Sequence, residues 1–214
     1  MKMNLYYRSV RQFFALAFRE LWGGEVYGSE NLPLSGACLL AANHASFLDP
    51  PFVAAACPQR EIFYFARQTL FRPGFWHFIL SRINTIPVDR DGDSDLKAIR
   101  RVLKLLHEGQ GVTIFPEGTR TSDGYFQEAQ AGIGFLSCRS AVPVVPLRLF
   151  GTYAIWNRHR SAPDFHRRAQ LVIGPAILPA FYDPGPSHPQ RYSESARRIL
   201  NAIRQLSLPR LQRL

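Results

Sequence analysis

Lysine is scarce in this chain: Lys2, Lys97 and Lys104 are the only three. The formal net charge is nevertheless +10 and the isoelectric point near 10.1. The positive charge is therefore nearly all arginine, a side chain that grips phosphate through two parallel donors. Such a balance implies attraction to nucleic acid, an anionic membrane surface or a phosphorylated substrate, and does not choose among them. Cysteine is sparse too. Cys38, Cys57 and Cys138 are odd in number and lie in apolar surroundings, which argues against a disulfide framework or a thiolate metal site and for reduced thiols inside a cell. No apolar run approaches the roughly 18 residues that span a bilayer. A signal-peptide pattern is missing as well, because Arg11 and Arg19 interrupt or flank the one apolar run of the N-terminus, Phe13 to Phe18. Internal repeats and low-complexity tracts are absent, and so is a Gly-x-Ser-x-Gly nucleophile elbow. These absences lead to the expectation of a cytoplasmic protein that meets a membrane from one side at most.

What is present is globular. The 214 residues are 46% hydrophobic and 13% aromatic, enough for one sizeable domain with a real core and too little for two comfortable ones. Residues 4–22 fit an amphipathic helix. Tyr6, Val10, Phe13, Phe14, Ala17, Phe18 and Leu21 fall on one face, Arg8, Arg11, Gln12 and Arg19 cluster away from it, and Gly23-Gly24 stops it. An aromatic stripe flanked by arginines suits a membrane interface; it suits packing on the protein's own core equally well. We read residues 1–24 as this N-terminal helix and residues 25–214 as the main domain.

Beyond it, strand-like and helix-like segments alternate. Apolar runs at 36–42, 61–66, 111–115, 143–149 and 170–173 read as strands, and 50–57, 75–82, 94–108, 130–140 and 192–207 as helices. In 94–108, Leu96, Ile99, Val102, Leu103 and Leu106 keep helical spacing and Gly109 closes the helix. The fold class expected is α/β: a single domain with a largely parallel, mixed central sheet flanked by helices.

Two short motifs follow two of those strands. In Asn43-His44-Ala45-Ser46-Phe47-Leu48-Asp49-Pro50 a His precedes an Asp by five residues. His44 is a candidate general base, and Asp49 a candidate to hold its ring in one tautomer. Asp49 before Pro50 also reads as an ordinary helix N-cap, and the spacing alone carries little weight. Ser46 suits the turn better than a nucleophile's place. The second motif, Phe115-Pro116-Glu117-Gly118-Thr119-Arg120, offers a carboxylate, a tight turn and a guanidinium that can grip a phosphate. In a parallel sheet both motifs lie at C-terminal strand ends, where ligand crevices form. With no protein nucleophile in evidence, His44 would activate a substrate hydroxyl directly.

Over roughly residues 36–150 the chain resembles the 1-acyl-glycerol-3-phosphate acyltransferase (lysophosphatidic acid acyltransferase) family of the glycerolipid acyltransferase superfamily. Asn43-His44 with Asp49-Pro50 is similar to the family's His-x4-Asp block, and Phe115 to Arg120 to its Phe-Pro-Glu-Gly-Thr-Arg block. Arg67-Gln68-Thr69-Leu70 and Val88-Asp89-Arg90 resemble the block between them, and Val142 to Pro146 the fourth. The resemblance implies that His44 deprotonates an acceptor hydroxyl for attack on an acyl thioester, with Asp49 as its partner. It implies acceptor binding by Glu117, Gly118, Thr119 and Arg120, with Arg67 and Arg90 contributing, and an acyl-chain side near Val144 and Pro146. No metal or resident cofactor is implied, because acyl-CoA or acyl carrier protein enters as the donor substrate. The acceptor is a lysophospholipid, with 1-acyl-glycerol-3-phosphate first among them, and the place of work is the cytoplasmic side of the cell membrane, bound peripherally. Gln130 departs from the pattern, since a Lys commonly precedes the Gly represented here by Gly132.

Other features carry less. Asp89, Asp91, Asp93 and Asp95 alternate, but Arg100 stands where a calcium loop needs its bidentate Glu. The stretch 158–168 is strongly basic and reads as a headgroup-binding or merely exposed loop. A non-catalytic basic module is the competing class, yet no nucleic-acid motif appears and the aromatics do not interleave with the arginines; nucleic acid is not an expected partner. A hydrolase using water as acceptor is a third reading.

Overall fold

A computed structural model describes residues 4–67, 83–88 and 94–209. Among the described residues seven strands form one sheet: β1 (Glu25–Tyr27), β2 (Cys38–Ala42), β3 (Ile62–Arg67), β4 (Thr85–Val88), β5 (Gly111–Ile114), β6 (Val144–Phe150) and β7 (Gln170–Ile173). Their order across the sheet is β1-β7-β6-β2-β5-β3-β4, and every pairing is parallel except β6 with β7. The helices among the described residues are α1 (Leu5–Trp22), α2 (Asp49–Ala55), α3 (Ser94–His107), α4 (Ala131–Ser140), α5 (Thr152–Trp156), α6 (Pro179–Tyr182) and α7 (Arg191–Gln205). The expected mixed, largely parallel α/β sheet is what forms. Strands β1 and β4 and the short helices α5 and α6 were not anticipated; each is five residues or fewer, too short for periodicity to show. The helix expected at 75–82, Gln68-Thr69-Leu70 and Arg90 lie outside the described residues.

Strand β2 is buried along its whole length, and its pleat sorts the core. Cys38, Leu40 and Ala42 face one layer, packed with Phe18 and Trp22 of α1 and Phe52 and Val53 of α2. Leu39 and Ala41 face the other, with Val102 and Leu105 of α3, Ile133 and Leu136 of α4, and Ile199 and Ile203 of α7. Successive side chains of a strand point to opposite faces, so one strand serves two layers.

Helix α1 departs from its wheel. The residues it buries are Tyr7, Arg11, Phe18 and Trp22. At 100° per residue that face is turned roughly a quarter turn from the centre of the apolar stripe. Polar tips fix the rotation: Tyr7 Oη accepts from the Ile62 amide at 3.1 Å, and Trp22 Nε1 donates to the Asp164 carbonyl at 3.0 Å. Arg11, expected on the outside, is carried inward. In exchange Leu5, Phe13, Leu16 and Leu21 stand exposed. No helix among the described residues is long and apolar enough to cross a membrane.

Candidate active site

Strands β2 and β5 are parallel neighbours with Ala41 opposite Ile114. Three residues further along each strand lie His44 and Glu117, so the register alone brings the two motifs side by side at the C-terminal edge. The link is direct, because the His44 amide donates to Glu117 Oε1 at 2.8 Å.

His44 Nδ1 lies 2.9 Å from Asp49 Oδ2. The same oxygen accepts from the amides of Ala45 at 2.6 Å and Ser46 at 2.7 Å, and Asp49 is fully buried. Asp49 is therefore not the N-cap that its place before Pro50 suggested. It is the first residue of α2, with Leu48 before it, and its carboxylate turns back into the loop. The cause is covalent. A capping oxygen at position 49 would need the amides of residues 51 or 52; Pro51 has none, and the Phe52 amide is taken by the Leu48 carbonyl.

Oδ2 is the acceptor of the Ala45 and Ser46 amides, so the Nδ1 contact places the imidazole hydrogen on Nδ1 and leaves Nε2 as the nitrogen free to take a proton. The His44 side chain is 17% exposed and stacks on Phe115, with ring centroids 4.1 Å apart and planes 21° from parallel. The ring is thus held by an edge and a face. Ser46 Oγ donates to the Trp156 carbonyl and accepts from the Leu48 amide, as befits a turn residue.

Glu117 is 3% exposed. Its second oxygen accepts from the Gln127 amide at 2.8 Å. Both oxygens thus bind backbone amides, which gives this carboxylate the task of tying the His44 loop to the 121–127 loop. Burial pushes the Glu117 carboxyl above the usual carboxylate range, and the Gln127 and His44 amides pull it back. Gly118 makes the turn at φ 68°, its amide donating to the Phe115 carbonyl at 2.9 Å, and Gln130 packs over it. Thr119 lies beside it, half-buried. The Arg120 guanidinium carbon sits 3.5 Å above the Phe47 ring, a cation–π contact that holds it over the His44–Asp49 loop.

The remaining expected residues lie differently. Arg67 ends β3, past the end of β5 and so at the same edge of the sheet. Val144 pairs with Leu39 and Pro146 with Ala41 in the buried sheet, five and three residues before His44 on β2. At about 3.3 Å per residue the structure keeps them on the order of 16 and 10 Å along the strand from the His44 loop. Three supporting residues went unassigned in the sequence. Asn43 mimics a strand residue, its Oδ1 accepting from the Leu149 amide at 2.7 Å and its Nδ2 donating to the Leu149 carbonyl at 3.0 Å. Phe115 supplies the stacking face. Gln127 contributes through its backbone, for which no residue type is a signal.

A part-exposed histidine paired with a buried carboxylate thus stands at the carboxyl edge of a largely parallel sheet, with the Arg120 guanidinium stacked on the adjoining loop. Sequence comparison gives that site its family. The Acyltransferase family profile matches residues 24–149, and the chain belongs to that family. It is 36% identical over 167 residues to the 1-acyl-sn-glycerol-3-phosphate acyltransferase of Bacillus subtilis, covering 77% of this chain and 79% of that protein. It is 30% identical over 152 residues to the chloroplastic 1-acyl-sn-glycerol-3-phosphate acyltransferase BAT2 of Brassica napus, covering 70% of this chain. The matched region spans less than half the length of this plant relative, 43%. The fold is similar to that of the 1-acyl-sn-glycerophosphate (LPA) acyltransferase PlsC of Thermotoga maritima, with a TM-score of 0.70 at 22% identity, covering 94% of this chain and 81% of that one.

Proposed function

We propose that this protein transfers a fatty acyl group from a thioester, acyl-CoA or acyl carrier protein, to the free hydroxyl of a lysophospholipid, 1-acyl-glycerol-3-phosphate first among them, giving phosphatidic acid. The observation that carries the reading is the His44–Asp49 pair, with Asp49 fully buried and bonded to Nδ1, in a chain whose relatives bear that name. His44 Nε2 removes the proton of the acceptor hydroxyl as its oxygen attacks the thioester carbonyl. The tetrahedral intermediate collapses with cleavage of the carbon–sulfur bond, and the imidazolium returns its proton to the departing thiolate. Asp49 stabilises the imidazolium while it exists and keeps Nδ1–H in place. Arg120 receives the acceptor's phosphate, Arg67 and Arg90 support that subsite, and Gly118 and Thr119 shape the turn beside it. Glu117 acts by holding the His44 backbone.

The exposed apolar face of α1, with Arg8 and Arg19 beside it, lies in the headgroup layer of the cytoplasmic leaflet and brings the enzyme to its lipid. Gln130 favours a second acceptor assignment, since a neutral side chain packs over the Gly118 turn where a cation would attract a phosphomonoester; lysolipids with other headgroups then become acceptors, while glycerol 3-phosphate, itself a phosphomonoester, is an alternative that Gln130 does not favour. Product analysis from a panel of lysolipids with acyl-CoA separates these. Phosphatidic acid as main product supports the first assignment, diacylated products of other headgroups the second, and free fatty acid without lysolipid dependence refutes acyl transfer.

A further inference from the structure

The basic stretch after α5 is a built surface, and it packs against the loop that carries Arg120. Residues 157–168 carry Arg158, Arg160, Arg167 and Arg168 against a single acid, Asp164. Asp164 is spent inside the loop. One of its oxygens accepts from the His166 amide at 2.9 Å, and the other meets Arg160 at 3.2 Å and Arg167 at 3.3 Å. The Asp164 amide in turn donates to the Ile155 carbonyl at 2.9 Å. Arg158 and Arg168 enter no ion pair among the described residues, so the loop keeps a surplus of positive charge.

Two anchors fix where this surplus points. At one end His159 Nε2 lies 3.1 Å from the Ser122 carbonyl and Arg158 Nη1 3.5 Å from the Arg120 carbonyl, which sets the loop against the strand-edge loop that carries Arg120. At the other, Trp22 of α1 donates to the Asp164 carbonyl and stacks on Phe165, with ring centroids 5.5 Å apart and planes 17° from parallel. Trp22 itself is buried, whereas Phe165 is 55% exposed. An outward aromatic among arginines, held rigidly from beneath, has the chemistry of an interfacial contact: the ring enters the headgroup–acyl boundary and the guanidinium groups meet lipid phosphates.

We propose that residues 157–168 form a second membrane-docking element, specific for an anionic phospholipid surface, that works with α1 to seat the mouth of the site on the bilayer. The choice of occupant rests on charge complementarity and on continuity with the exposed face of α1 through Trp22, and it builds on the lipid-acyltransferase reading given above. A bilayer-resident acceptor then reaches His44 without leaving the membrane, past a rim whose cations match its phosphate.

The test is partitioning of the 214-residue protein onto phosphatidylcholine vesicles with and without phosphatidylglycerol. Wild type is expected to prefer the anionic vesicles and to lose that preference as salt rises. Arg158→Gln with Arg168→Gln should weaken binding roughly 30-fold, since each arginine near an anionic surface contributes on the order of fivefold. Phe165→Ser, a substitution at an exposed ring that leaves the Asp164 bonds in place, should weaken it about tenfold. Phe13→Ser in α1 should add to either. Unchanged partitioning in both loop variants with thermal midpoints intact, or equal binding of wild type to neutral and anionic vesicles, overturns the proposal. Turnover of a dispersed short-chain lysophosphatidate without vesicles should be unaltered in Phe165→Ser. An enzyme already inactive on that acceptor would refute the proposed function instead, and the vesicle result would still decide this one.

Discussion

Replacing Asp49 by Asn separates what its shape does from what its charge does. Three donors converge on Oδ2: the amides of Ala45 and Ser46 and Nδ1 of His44, while Oδ1 has no partner among the described residues. An asparagine with its oxygen in the Oδ2 position keeps all three bonds. Its NH2 group falls where Oδ1 was and leaves a buried donor unpaired, at a stability cost of about 1–3 kcal/mol. The negative charge is lost outright. With charge centres about 4 Å apart and an effective dielectric near 20, a carboxylate attracts an imidazolium by about 4 kcal/mol. That attraction exists only once His44 has taken the acceptor's proton, so it belongs to the transition state and its loss is read in kcat with KM little changed. The expected fall in kcat is on the order of 10³-fold, measured in steady state with acyl-CoA and lysophosphatidic acid on a protein shown folded by its thermal transition. A loss below tenfold, or one confined to KM, would refute the reasoning, because Asp49 would then be a loop fastener and nothing more.

Other parts of the site make separate predictions. Glu117→Gln sets an amide NH2 against either the His44 or the Gln127 N–H, so stability should drop by about 1–3 kcal/mol in urea unfolding, with kcat falling as the His44 backbone shifts; a neutral effect on both would show that the two loops hold together without it. Gly118→Ala forces a side chain into the left-handed region at φ 68° and within 3.0 Å of Gln130 Cγ, which should cost about 1–2 kcal/mol and disturb acceptor KM before kcat. On α7, Arg197 and Arg198 hold the Glu194 carboxyl at about 2, below its ordinary value near 4.5. A depressed carboxylate stabilises the fold above its ordinary value and loses that contribution as the pH falls through the depressed one. The gap in urea midpoint between wild type and Glu194→Gln, open at pH 7, should therefore close as the pH falls from about 4.5 towards 2.

Much of the fold was legible in the sequence because its longer elements have clean periodicity. Helix α3 ends one residue before the expected Glu108, and β7 matches at both ends. Strands of three or four residues such as β1 and β4 leave too few positions for alternation to register, and they pair at the edges of the sheet. Position along the chain also carried the adjacency of the two motifs, since each follows a strand directly. Bonding was harder to read. Pro51 removes one of the two amides that a cap at Asp49 could use, yet the direction in which the carboxylate turns depends on the amides of Ala45 and Ser46, which any residue type provides. The partners of Glu117 are likewise main-chain groups. Helix α1 shows the limit of a wheel. Seven apolar residues mark a stripe, but the hydrogen bonds of Tyr7 and Trp22 set the rotation, and they put Arg11 inside and Phe13 outside.

The central claim is that His44 is the base for acyl transfer to a lysolipid hydroxyl. Single-turnover formation of phosphatidic acid from lysophosphatidic acid and acyl-CoA, compared between wild type and His44→Ala, tests it most directly. Phosphatidic acid is expected from wild type, with a loss of about 10²–10⁴-fold in the variant while its fold is retained. Equal rates in the two proteins would contradict it.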